Sequence, residues 1–207
     1  MIIKQEPELM EIFCHCEGKN RYSIRDEHGR EFMRATENTC CCYMRCCCCT
    51  NRRPFNFTVD DFDEHEIYLD RKVSCNSCFF PRCMNKVVVT AKNGETLGFE
   101  KQRWSMCKTY FNIKGGNSEK VLRISGPCCT TSCCCGNIKF TIKDMDGHQV
   151  GSISKEWGGI IQESFTDIDN FCITFPVDLD VKIKAVLVAA TILIDYMFFE
   201  NTKEPKP

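Results

Sequence analysis

Oxygen-bearing side chains are spaced at regular intervals near the C-terminus, just before the longest apolar run of the chain. Counted from Asp167, aspartates occupy positions 1, 3 and 12 of a segment that ends at Asp178. This spacing is similar to a twelve-residue calcium loop, in which carboxylates and backbone carbonyls supply the oxygens that Ca²⁺ prefers. Positions 5 and 9 are Phe171 and Phe175, which offer only backbone carbonyls, and position 6 is Cys172, where that loop has glycine. A calcium site of weak affinity, roughly 10⁻⁴ to 10⁻³ M, and a core strand capped by aspartates are the two interpretations of this segment.

Cysteine accounts for 19 of the 207 residues and occurs mostly in clusters. The start of the chain has no secretory signal, the count is odd and adjacent cysteines are poorly placed to bridge each other, so we expect reduced thiols. One interpretation is S-acylation, since each buried methylene of an acyl chain adds about 0.8 kcal/mol of membrane affinity. A zinc or iron–sulfur site at the CxxC spacing of Cys75 and Cys78, and small buried thiols without a separate role, stay open. The acylation candidates are Cys46, Cys47, Cys48, Cys49, Cys75, Cys78 and Cys83.

Charge and motif content exclude several functional classes. The net charge of −1 indicates no nucleic-acid partner. The chain contains no glycine-rich loop that would cradle a phosphate and no Ser/His/Asp or Cys/His set at a diagnostic spacing. We therefore assign no catalytic residues and do not expect an enzyme.

The elements that must position these residues are predominantly β-strands. Short segments of alternating apolar and polar residues are separated by turn signals along most of the chain, which is typical of hairpins. Asn93-Gly94, between the segments 87–89 and 97–99, is the strongest of these turn signals. The pattern predicts about 11–12 strands, and closing them into an antiparallel barrel would leave no exposed strand edge.

The apolar run 181–199 is hydrophobic on all sides of a helix, so it must lie inside protein or inside lipid. From Ala185 to Phe199 a helix extends about 22 Å, less than the roughly 30 Å of a bilayer core. Thr191 and Asp195 also interrupt it. A helix within the barrel is the favoured interpretation, and a short transmembrane helix is the alternative. Representative residues of this helix are Val181, Ala185, Leu187, Leu193 and Phe199.

In a simple meander, the turns within hairpins and the links between hairpins would lie at opposite ends of the barrel. The tight turns would lie at one end of the barrel, the hairpin end, and the links between hairpins at the other, the link end. The predicted links are 36–53, 71–85, 102–108, 126–136 and 155–170. Cysteines fall in the first four links, and Asp167 and Asp169 fall in the fifth. The sequence thus predicts a thiol-rich link end with two carboxylates beside it.

Four segments resemble the phospholipid scramblase family: LRISGPC at 122–128, FTDIDNF at 165–171, FPVDLDVK at 175–182 and LIDYMFFE at 193–200. The resemblance covers residues 20–200, with a short N-terminal segment at 1–19 and a tail at 201–207. It implies a mostly β, tubby-like closed barrel around a hydrophobic C-terminal helix. It also implies calcium-dependent, ATP-independent movement of phospholipids between membrane leaflets, and palmitoylation. A membrane-tethered, lipid-binding module without transport and a metal-binding cysteine-rich protein are the alternatives.

Carried over residue by residue, the resemblance assigns Ca²⁺ to Asp167, Asp169, Phe171, Ile173, Phe175 and Asp178. The family's acylated cysteine run falls on 78–83, where only Cys78 and Cys83 remain, so acylation is also expected at 46–49. The family's basic nuclear-import segment falls on 151–160, where Ser152 and Glu156 reduce the basic character, so we do not expect nuclear import. We expect a membrane-associated protein, at the plasma membrane, with most of the chain cytoplasmic. Expected partners are membrane phospholipids and a homo-oligomer, without SH3 or WW modules because the Pro-rich region is absent.

Overall fold

The computed structural model describes residues 1–6, 19–39, 54–61, 65–72, 84–105, 108–127, 138–156 and 170–199. Within these ranges the chain forms twelve β-strands and one α-helix. The strands are β1 (Ile2–Glu6), β2 (Arg21–Arg25), β3 (Glu31–Glu37), β4 (Phe55–Asp61), β5 (Glu66–Arg71), β6 (Lys86–Ala91), β7 (Thr96–Arg103), β8 (Tyr110–Gly115), β9 (Lys120–Ser125), β10 (Lys139–Lys143), β11 (Gln149–Glu156) and β12 (Asn170–Thr174). The helix is α1 (Val181–Phe198).

The strands close into one antiparallel barrel. Each strand pairs with its neighbours in sequence, and β1 pairs with β12 to close the ring. This meander confirms the predicted fold class and the predicted hairpins. Because consecutive strands alternate in direction, all five hairpin turns lie at the hairpin end and the links lie at the link end.

The first strand was missed by the sequence analysis, which placed residues 1–19 before the barrel. Residues of β1 pair on one side with β2, where Ile3 faces Ile24, and on the other with β12, where Ile3 faces Phe171. The Ile3 side chain is fully buried, so this short strand contributes to the core as well as to closure. The barrel therefore begins at the second residue.

The turns largely follow the glycine signals. Gly29, Gly94 and Gly147 have positive φ values of 78°, 84° and 94°, as tight hairpin turns require. The turn between β8 and β9 differs, because its positive φ of 68° falls on Ser118. Gly116 in the same turn allows the backbone to approach Thr96 closely, since a Cβ atom at this position would lie 2.5 Å from the Thr96 carbonyl oxygen.

The helix α1 fills the barrel, which confirms the core interpretation of the apolar run. Its Tyr196 side chain contacts Phe55 of β4, and its Phe198 side chain contacts Phe140 of β10. Phe199, which follows the helix as its C-cap, contacts Phe171 of β12.

Burial along the helix follows its depth in the barrel. Leu187, Leu193 and Phe199 are buried as predicted, and Ala185 is partly buried. Val181 is 76% exposed, contrary to the prediction, because the first turn of α1 projects beyond the hairpin end. Asp180 caps this turn by accepting a hydrogen bond from the Lys182 amide. In the part of the chain that the structure describes, no helix has both the length and the apolar character needed to cross a bilayer.

Candidate functional site

The segment with calcium-loop spacing lies largely on strand β12. The Phe171 and Ile173 side chains are both 1% exposed and point into the barrel. The Ile173 carbonyl accepts a hydrogen bond of 3.1 Å from the N-terminal amino group of Met1, and Phe171 pairs with Ile3 and Lys155 in the neighbouring strands. These two residues therefore belong to the ladder that closes the barrel, where their backbone groups have other partners.

The rest of the described segment lies beyond the hairpin end of β12. Phe175 is partly buried, with the Lys184 ammonium 5.5 Å from its ring centroid. Lys184 also donates a hydrogen bond of 2.8 Å to the Val177 carbonyl. Asp178 is exposed, two residues before the helix cap Asp180. This turn connects the barrel wall to the helix.

The described positions of this segment, Phe171 to Asp178, are spread along β12 and the turn beyond it. Ligands of one Ca²⁺ ion lie about 2.5 Å from it, and so within about 5 Å of one another. The two ends of a five-residue strand such as β12 are roughly 13 Å apart, with Asp178 beyond one end. Asp167 and Asp169, which precede the other end in sequence, lie outside the described residues. Calcium binding by this pair stays a prediction.

The cysteine-bearing links begin and end at the same end of the barrel. Backbone hydrogen bonds continue the strand ladders there, from Asn38 to Asn56, Gln102 to Asn85 and Gly126 to Thr109. The links carry every candidate acylation cysteine, and all of those residues lie outside the described ranges. Within the described ranges, Cys172 of β12 is a free, partly buried thiol. The strands on either side of these links therefore agree with the prediction that the links share one end of the barrel.

An inner polar cluster, which the sequence analysis missed, lies inside the barrel at the link end; it comprises Asn20, Tyr22, Glu37, Asp195 and Tyr196. The Tyr22 hydroxyl donates to Asp195 Oδ2 at 2.6 Å, and the Tyr196 hydroxyl donates to Glu37 Oε2 at 2.8 Å. The Asn20 side-chain amide donates to the Tyr196 hydroxyl at 2.7 Å. These bonds attach the last turn of α1 to β2 and β3. The interruption of the apolar run at Asp195 was the available sequence signal.

A second buried polar group lies further round the ring at the link end, on β5, on β7 and at the start of β6. Arg71 Nη2 donates to Asn85 Oδ1 at 2.7 Å, and the Asn85 side chain donates to Gln102 at 2.7 Å. Glu100 is fully buried, and neither of its carboxylate oxygens has a hydrogen-bond partner among the described residues. Burial raises the pKa of Glu100 to about 8, although the nearby Arg71 guanidinium opposes this shift. Glu100 is therefore mostly protonated at neutral pH.

Three side chains with metal-ligand chemistry approach one another in the β10–β11 hairpin. The ligand atoms of Asp144, Asp146 and His148 lie within 4.8 Å of one another. The same Asp-to-base arrangement occurs in two other hairpins, where Asp61 contacts His65 at 3.1 Å and Asp26 contacts Arg30 at 2.9 Å. Since an arginine replaces histidine in one of them, turn stabilisation accounts for the arrangement.

A closed barrel of twelve antiparallel strands around a C-terminal helix defines the tubby-like class of protein. A family model described as Scramblase matches residues 1–201. The chain is 43% identical over 205 residues to phospholipid scramblase 2 of Bos taurus, covering 98% of this chain and 69% of that protein. It is 43% identical over 204 residues to phospholipid scramblase 1 of Homo sapiens, covering 98% and 63% respectively. The chain belongs to the scramblase family.

More distant relatives carry the same family name. Phospholipid scramblase family member 5 of Homo sapiens is 34% identical over 203 residues, covering 98% of this chain and 74% of that protein. No solved structure matches the chain. The chain spans 63% of the length of human phospholipid scramblase 1.

Proposed function

We propose that this protein moves phospholipids between membrane leaflets, in a calcium-dependent and ATP-independent manner. The observation that carries the proposal is the 43% identity, over 98% of the chain, to proteins named phospholipid scramblases. The activity makes and breaks no covalent bond, so the chain's residues would act by binding, orienting and admitting lipid. Membrane association at the cytoplasmic face of the plasma membrane is part of the same proposal.

The calcium dependence is assigned to Asp167 and Asp169. Carboxylates are the hard oxygen ligands that Ca²⁺ requires, and these two precede β12 in the link that leads into it. Phe171 and Ile173 would then act as structural anchors of that link, because their side chains are buried in the barrel. Asp178 belongs to the turn that starts α1.

A transport assay with the full chain reconstituted in liposomes tests both parts. We expect a fluorescent reporter lipid to exchange between leaflets on calcium addition, at the same rate with and without ATP. Asp167→Ala with Asp169→Ala should lower the calcium-stimulated rate by about tenfold, as loss of both carboxylates would weaken a site of this low affinity class. The matched control is Asp144→Ala with Asp146→Ala, which removes two carboxylates at the hairpin end and should leave the rate unchanged. Full activity in the first variant would reject the assignment.

S-acylation of the link cysteines would hold the barrel at the membrane by its link end. In cells, membrane association should be sensitive to hydroxylamine, which cleaves thioesters, and should fall in a variant with Cys46 to Cys49 changed to serine. A variant with Cys78 and Cys83 changed to serine separates the two clusters. Zinc in the purified protein, with association resistant to hydroxylamine, would favour the metal-binding alternative.

A lipid-binding module without transport is the second candidate function. The enclosure of α1 favours it, because strands surround the helix beyond its first turn and leave only that turn exposed. The same liposomes distinguish the two, since a module of this kind would bind the vesicles and leave the reporter lipid where it was.

A further inference from the structure

The outer wall formed by β6 to β10 carries positive charge almost exclusively. These five strands contain eight lysines and arginines. Their one acidic residue, Glu100, is buried and faces the interior. By contrast, β3 to β5 contain six acidic residues and two arginines. Although the net charge is only −1, the barrel therefore has two walls of opposite charge.

Strand register aligns much of this charge into one row. Lys86 faces Lys101, which faces Asn112, and Asn112 faces Arg123, which faces Lys143. The row thus crosses five strands, and at about 4.8 Å per strand it is roughly 19 Å long. We call it the basic row; the aromatic ring of Phe99 lies beside it.

Two cross-strand pairs in the row place like charges directly opposite each other: Lys86 with Lys101, and Arg123 with Lys143. A third such pair, Lys114 with Lys120, lies next to the row. Like charges in opposed positions destabilise a sheet. None of the row's four cations forms an ion pair with a carboxylate within the described parts of the chain, whereas Arg34, Lys92 and Lys182 elsewhere do. The row therefore has an unmet requirement for negative charge.

Aromatic side chains interleave with these cations. The Phe99 ring lies 4.3 Å from the Lys86 ammonium and 5.2 Å from that of Lys114. Towards the link end, Tyr110 is partly buried and Trp104 is 46% exposed. Tyrosine and tryptophan are favoured at the level of lipid headgroups. Duplex nucleic acid is read by an element that enters a groove, and the wall of a closed barrel presents none.

We infer that the basic row is the surface by which the barrel docks on a bilayer containing anionic phospholipid. The row meets the negative headgroups, which relieve the repulsion between its opposed cations. Trp104 lies at the edge of the same wall nearest the link end, so headgroup contact and acylated links would face one membrane together. This inference extends the proposed function by naming the lipid class and the wall that meets it.

The test measures vesicle binding by the full-length, unacylated chain without calcium. The vesicles are phosphatidylcholine alone, or with about 30% phosphatidylserine. Lys101→Glu with Lys143→Glu should reduce affinity for the anionic vesicles by about tenfold or more, since each basic residue at such a surface contributes roughly fivefold. Binding to phosphatidylcholine alone should not change. The thermal midpoint should stay constant or rise, because each glutamate would face a cation across the sheet.

The matched control is Lys4→Glu with Arg21→Glu, which changes the net charge equally on β1 and β2, across the barrel from β7 and β8. It should reduce binding less than twofold. An equal loss in both variants would overturn the inference, because net charge alone would then explain binding. Loss of binding to a DNA duplex with vesicle binding retained would overturn it in favour of nucleic acid. Vesicle binding by a chain that moves no reporter lipid would contradict the proposed function and leave the inference intact.

Discussion

Asp195 interrupts the apolar helix, and its carboxylate lies inside the barrel with the Tyr22 hydroxyl 2.6 Å away. Buried carboxylates need such partners, because an uncompensated charge in a core is costly. The sequence shows Asp195 as a break in the apolar pattern and gives no indication of its partner, which is 173 residues distant in the chain. Polar contacts inside this barrel are thus set by strand register, which local patterns do not reveal.

Glu100 should make the stability of the barrel depend on pH. Its pKa is raised to about 8 in the folded chain from 4.5 in the unfolded chain, so between these values only the folded state keeps the proton. The free energy of unfolding should therefore fall as pH rises from 5 to 8, by roughly 1.4 kcal/mol per pH unit from this group. Glu100→Gln should flatten that dependence and be more stable than the parent at pH 8.

Urea unfolding at several pH values measures this effect, with the exposed Glu119→Gln as control. The control should retain the parent's slope, since Glu119 lies at the hairpin end in solvent. A parent protein whose stability stays level between pH 5 and pH 8 would contradict the protonated state of Glu100.

Among the elements, hairpins were predictable and β1 was not, for a physical reason. A hairpin combines two alternating segments with a turn between them, so Asn93-Gly94 identifies its own strands. Strand β1, by contrast, has no tight turn beside it: it pairs with β12 at the far end of the sequence and with β2 across the long link 7–20. The calcium-loop spacing on β12 shows a related ambiguity, because ligands at alternate positions have the same period as side chains on one face of a strand. Phe171 and Ile173 fit both patterns.

Gly98 should be essential to the packing of α1 against β7. A Cβ atom at this position would clash with the Lys114 carbonyl oxygen and lie 2.8 Å from Cγ2 of Val186 on the helix. Since the obstructing groups are a backbone atom and a core side chain, Gly98→Ala should destabilise the protein by about 1–3 kcal/mol.

The comparison variant for this prediction is Gly29→Ala. Its Cβ atom would meet nothing within 4 Å, although its φ of 78° favours glycine, so the cost should be about 1 kcal/mol. Chemical denaturation of both variants gives the difference. A loss at Gly98 no larger than that at Gly29 would show that the close contacts of Gly98 do not limit the packing of α1.

At the scale of the whole molecule, closure and charge distribution both depend on the complete ring. Composition predicted a nearly neutral chain, whereas the register separates acidic and basic residues onto different walls. Closure likewise depends on β1, since this strand alone connects β2 to β12. Neither property can be obtained from a window of sequence, because both arise from pairings around the barrel.

Removal of residues 1–6 should open the barrel. The deletion would leave β2 and β12 with unpaired backbone edges, and exposed edges promote association between chains. We expect loss of a single cooperative thermal transition and the appearance of oligomers in size-exclusion chromatography. A milder variant, Ile3→Ala, should stay monomeric and lose about 2–5 kcal/mol through the cavity it creates. A monomeric, cooperatively folding deletion variant would show that closure by β1 is dispensable.

The bond between Met1 and Ile173 joins residues separated by 172 positions, and this has a consequence for the newborn chain. A ribosome adds about 5–20 residues per second, so the opening strand must wait roughly 10–30 s before its last neighbour is made. Throughout that interval the growing polypeptide has neither a completed wall nor the helix that fills it. The yield of folded protein should therefore depend more on the chaperones that protect the growing chain during translation than on the stability of the finished molecule.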